Sequence, residues 1–235
     1  MNILKAIKNL FKKEHVVKQK MTYPSAEALR ILHKMEAVEK QAEVLKEIHG
    51  SDFNSFFHGH MTFDIIRSEV MPALYPDYKT ELFTDSSHWH EKHELNFPGP
   101  IYTGVTDTCG TGIEAPDNIM FDYCGCEYVS RQPRNYAQLI EVTNVADIEV
   151  LSGYSCDGNK HWNYELVKGW WFNRPKWIRH LKDPAVKKHN GADIVKLYID
   201  YLNSGTAELD LRRYCFFLLN NYYPAEDNMD LPIIS

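Results

Sequence analysis

The sequence has no apolar run close to the roughly 20 residues a membrane-spanning helix needs; Tyr214 to Leu219 is about the longest. It has no internal repeat and no low-complexity tract. It has no GxxxxGK[ST] loop, and beside Gly110-Thr-Gly112 no third glycine stands at dinucleotide spacing, so phosphate cradling has no motif here. The histidines never fall in an HExxH pattern and the cysteines never in CxxC. The start MNILKAIKNLFKK carries the charge of a signal peptide. Lysines interrupt the apolar stretch of about 7–15 residues that export requires, so no cleaved signal is expected. Five cysteines (Cys109, Cys124, Cys126, Cys156, Cys215) make an odd count in a chain large enough to fold without staples, which points to reduced thiols in a cytoplasm.

What is present is enough for one substantial core: 235 residues, 44% hydrophobic and 13% aromatic. The formal charge of −6 is uneven. Six lysines against Glu14 give the first 20 residues +5 and leave −11 on the other 215. An acidic body argues against nucleic-acid binding, which needs a basic face, and favours basic partners.

Ile3, Leu4, Ile7, Leu10 and Phe11 recur at helical spacing among lysines, which predicts a basic amphipathic helix over 1–20. Its residues 1–18 suit peripheral contact with the inner face of an anionic membrane. After a break at Pro24 and Ser25, Ala28, Ile31, Met35, Val38, Ala42 and Leu45 predict a helix ending at Gly50. A helix from about Thr62 to Met71 should stop at Pro72, followed by a long loop from Pro76 to Pro100. Residues 95–133 read as β-rich, a small antiparallel sheet. Asn135 should cap a helix to about Val145, and Ile148 to Leu151 reads as a short strand. Helices are expected at about 163–172, 175–181, 192–202 and 207–220, with a loose acidic tail over 225–235. The expected fold is α+β: a helical majority around a small antiparallel sheet, with an N-terminal helical extension and one domain over 21–224.

Three sets of residues could carry chemistry. His88, His90 and His93, with His58 and His60 upstream, are neutral-imidazole candidates for zinc; three of them would leave an open coordination position. Cys109, in Asp107-Thr-Cys-Gly-Thr-Gly112, could be a nucleophile beside inward-pointing amides, with His161 as base and Asp157 as orienter. Cys124-Gly-Cys126 with Cys109 and Cys156 could hold zinc, although the spacings x14, x1 and x29 match no standard ribbon. Arg131 and Arg134 could hold an anion or pair with acidic neighbours. The tryptophans 162, 170, 171 and 177 read as core or protein interface, and Cys215 as core.

The segments PGPIYTG (98–104), TDTCGTG (106–112), EYVSRQPRN (127–135), GYSCDGN (153–159) and Gly169-Trp-Trp171 resemble a pattern of small, stand-alone bacterial proteins. The resemblance brings no reaction and no catalytic residue with it. It implies a bacterial cytoplasmic protein, of a kind that often accompanies toxins as an immunity partner. With no complete catalytic set, the expected function is occlusion of a basic toxin, without a cofactor. The alternative is a metal- or cysteine-dependent enzyme using the His58–His93 loop or Cys109.

Overall fold

The structure is a computed structural model that describes residues 26–61, 63–74, 87–225 and 230–235. The amphipathic helix over 1–20, its membrane contact, the break at Pro24 and Ser25, and most of the loop's first half lie outside the described residues. Residues 1–37 and 38–235 form two compact units. Helix α1, Ala26–His49, supplies the described part of the first and enters the second. It ends where expected, at Gly50, whose φ of +88° turns its N–H back to Lys46 O at 2.8 Å.

Two helical stretches follow. Each opens as one α-turn (Phe53–Ser55, Phe63–Ile65) and continues as a π-turn (Phe56–His60, Ile66–Val70). Pro72 does not stop the second. It stands in the first turn of a closing piece, Met71–Leu74, where a missing N–H is tolerated.

Helix α2, Tyr136–Ile148, is capped by Asn135, whose side chain accepts from Gln138 N. It takes in Ile148, the first residue of the segment expected to form a strand, and the rest of that segment is a turn. Glu149 explains this: its carboxylate takes the N–H groups of Leu151 and Gly153 and folds 149–153 into a turn. Then come α3 (Tyr164–Phe172), α4 (Arg174–Leu181), α5 (Pro184–Asn190), α6 (Ala192–Asn203) and α7 (Thr206–Asn220).

The β content is two antiparallel pairs rather than one sheet. β1 (Tyr102–Thr103) pairs with β4 (Tyr154–Ser155), and β2 (Ile119–Phe121) with β3 (Glu127–Val129). A side chain replaces the ladder between them. Asn96, fully buried, accepts from Thr103 N, Thr103 Oγ1 and Val129 N, and donates to the carbonyls of His93 and Thr103. One amide thus satisfies backbone groups of both pairs.

Two apolar clusters flank this hub. One joins Leu45, Phe53, Phe57 and Ile66 to Leu139, Ile140 and Val145 of α2. The other gathers Trp162, Trp170, Trp171, Trp177, Leu202 and Tyr214 among the C-terminal helices, so the tryptophans and Cys215 are core. Each fully buried large side chain contributes about 1.5–3 kcal/mol. The tail end is not loose: Leu231 and Ile234 are buried, and Arg212 donates to the carbonyls of Leu231 and Pro232.

Candidate functional site

Four of the five segments quoted for the bacterial resemblance lie in the hub; the fifth, Gly169-Trp-Trp171, is in α3. Gly153 abuts Val105, where a Cβ would stand 2.1 Å from the carbonyl oxygen. Gly158 abuts Gly99 and Pro100 in the same way, at 2.2 and 2.8 Å. These glycines let backbone lie on backbone. Gln132 locks the arrangement, bonding Phe97 O, Ile101 O and Ile101 N.

Of the three residues expected to form a nucleophilic set, two come together. His161 Nε2 lies 2.9 Å from Asp157 Oδ2, one turn away across the 3-10 turn Gly158–Lys160. Tyr102 donates to Asp157 Oδ1 at 2.7 Å, Ser87 Oγ sits 3.1 Å from His161 Nε2, and Trp89 stacks on the imidazole. Burial works to raise the Asp157 pKa, but hydrogen bonds from Tyr102, His161 and Ser87 outweigh it and hold the carboxyl below its usual value. Ser87 and Asp157 share one ring nitrogen, so this is an oriented Asp–His pair and not a relay through both nitrogens.

Cys109 is elsewhere. It is exposed on its turn, and the nearby Asp107 charge, followed by Glu127 and Glu149, pushes the thiol pKa up. The amides expected to form an oxyanion hole are already occupied: Asp107 Oδ1 accepts from Cys109 N, and Glu127 Oε1 from Gly112 N. A turn filled by its own carboxylates repels an oxyanion.

The five histidines do not converge. His58 is buried against Tyr223, with ring centroids 4.4 Å apart, and burial pulls its pKa down to about 3. His60, two residues on along the same π-turn, is exposed. A 3-10 turn at Trp89–Glu91 leaves His88 half-buried and His90 exposed, so they do not face one way. His93 accepts Leu95 N on Nδ1, which puts its proton on Nε2 toward Asp122 at 3.3 Å. Among the described residues no group of three His, Cys, Asp or Glu side chains is arranged to hold a metal ion. The four-cysteine set is split too: Cys156 is buried in the core, whereas Cys109 and Cys124 are exposed.

A charge division escaped the sequence reading because it was averaged into the −11 body. Residues 93–130 and 135–159 contain no lysine or arginine. With Arg131 and Arg134 between them, the hub (93–159) holds ten acids against two cations, whereas residues 160–220 hold six acids against eleven. Both hub arginines turn to the helices: Arg131 over the Tyr201 ring at 4.1 Å, Arg134 onto Asp210. They pair with neighbours rather than hold an anion.

On this hub lie five exposed aliphatic side chains, Val105, Ile113, Ile148, Val150 and Leu151, with Val150 73% and Ile113 66% exposed. They stand on adjoining loops and the end of α2. Gly104 N donates to Gly153 O, Val150 N to Asp107, and the turn Thr111–Glu114 packs on α2. The aliphatics around the buried Glu149, namely Ile148 at the end of α2 and Val150 and Leu151 in the following turn, are the sequence signal for these exposed positions, and their spacing reads as a strand. A separate cleft of about 650 Å³ opens beside Asp157. Among the described residues no helix is long and apolar enough to cross a membrane. No family model matches the chain, and no curated protein or solved structure matches it.

Proposed function

We propose that this protein is a non-catalytic binding protein that seats a basic protein partner on its acidic hub, as an immunity-type protein would seat a toxin in a bacterial cytoplasm. The observation that carries this reading is five exposed aliphatic residues on adjoining segments free of lysine and arginine. Exposed apolar groups grouped on one face mark contact sites. An acidic surround steers a basic partner and rejects acidic ones. Occlusion needs no reactive residue, which fits the raised Cys109 thiol. The test is co-expression with the product of the adjacent gene, scored by co-purification and by protection of the cell. Ile113→Asp with Val150→Asp should abolish both while leaving the melting temperature unchanged, since both side chains are exposed. Binding that is indifferent to this double change, or to added salt, overturns the reading.

One observation favours an enzyme instead: the oriented Asp157–His161 pair. With Nε2 turned to Asp157, Nδ1 of a neutral His161 remains for proton abstraction. Cys109 is not its nucleophile. Iodoacetamide at neutral pH should modify Cys109 no faster than the exposed Cys124; selective, rapid labelling of Cys109 would restore the thiol mechanism.

A further inference from the structure

The cleft of about 650 Å³ opens where α3 begins and α7 ends, and its volume lies in the range of small-molecule sites, roughly 300–1,000 Å³. Its apolar wall is Met61, Trp162, Phe217 and Leu218; its charged wall is Asp157, Lys160 and Glu165. Asp157 is already engaged by Tyr102 and His161. The Lys160 and Glu165 side chains are different. Both line the cleft, they carry opposite charge, and neither has a hydrogen-bond or ion-pair partner among the described residues.

A purely anionic ligand would meet two carboxylates, and a purely cationic one would meet Lys160. A ligand with one charge of each sign leaves neither unanswered.

We propose that this cleft binds a zwitterionic apolar amino acid or short peptide, its carboxylate toward Lys160, its ammonium toward Glu165, and its side chain on Met61, Phe217 and Leu218. The site shares no residue with the aliphatic patch on the hub, so failure of either reading leaves the other standing.

Isothermal titration of the full-length protein at neutral pH with four probes tests it: L-phenylalanine, L-leucyl-L-phenylalanine, phenethylamine and 3-phenylpropionate. Saturable binding is expected for a zwitterion, with each single-charge probe about fivefold weaker, as expected for one partly exposed ion pair. Tighter binding of the dipeptide assigns peptides; tighter binding of phenylalanine assigns free amino acids. Lys160→Met should erase the preference over phenethylamine, and Glu165→Gln the preference over 3-phenylpropionate. Both residues are exposed, so the melting temperature should not move. The proposal is overturned if neither zwitterion gives saturable heat, if a single-charge probe binds as tightly, or if the preferences survive both substitutions.

Discussion

The hub and the helical layer of the same body are held together by different chemistry. Of the twelve buried polar or charged residues among those described, eleven fall within residues 93–159 and none within 160–220. The hub has short strands and many loops, so its backbone groups have few ladder partners. Buried side chains such as Asn96, Glu127 and Glu149 supply what the ladders do not. The helical layer satisfies its own backbone and buries tryptophan, tyrosine and leucine instead. A polar core demands particular residues at particular atoms; an apolar one demands volume.

The sharpest test of that contrast is a pair of substitutions that conserve size. Asn96→Leu should cost about 4 kcal/mol, because it strands buried groups on two strand pairs. Leu202→Met, equally buried in the helical layer, should cost less than about 1.5 kcal/mol. Urea denaturation of both decides it, and similar losses would erase the distinction.

Glycines extend the comparison to opposite signs. Gly158→Ala forces a Cβ to 2.2 Å from Gly99 O and should cost about 3 kcal/mol. Gly169 lies within α3 with nothing within 4 Å of its added Cβ. Gly169→Ala should therefore stabilise by about 0.5–1 kcal/mol, since alanine is the better helix former. A destabilised Gly169→Ala would mean that the layer is packed as tightly as the hub.

The smallest expected effect concerns pH. Burial raises the Glu127 pKa, against hydrogen bonds from Thr111, Tyr154 and Gly112 that lower it. A raised carboxyl pKa contributes stability that is complete below the unfolded-state value, about 4.3, and is lost as pH rises through the folded value. Glu127→Gln should flatten that part of the stability profile. Asp157, with a lowered pKa, contributes in the opposite sense, and its share is lost as pH falls through its folded value. An unchanged profile in Glu127→Gln would show that this carboxyl is not desolvated.

The same contrast explains what was legible in the sequence. Helix α2 follows from its cap at Asn135, and the helices near 163–172, 175–181, 192–202 and 207–220 from apolar spacing, because an apolar core writes its geometry into a period. The α+β class followed from the same signals. α5, with the polar sequence PAVKKHN, was missed because only Val186 of it is buried. Asn96 and Glu149 left no trace, since a buried amide or carboxylate looks like any surface residue until its partners are placed. That Asp157 and His161 would stand together was legible from their spacing; that Cys109 would not join them was not, because the turn's amides had closer acceptors in Asp107 and Glu127.

The pairing of β1 with β4 also governs when the hub can form. Tyr102 meets Ser155 and Thr103 meets Tyr154, so about fifty residues, including the whole β2–β3 pair and α2, lie between partners. During synthesis the first strand waits, unpaired, until the second has left the ribosome. The loop must close before its contacts repay the lost chain freedom. The helical layer closes shorter loops: its helices pack largely on their neighbours, and the return of α7 onto α3 spans about 33 residues. Hub closure is therefore the expected slow step of folding, and the seam between GYSCDGN and PGPIYTG is the last to set.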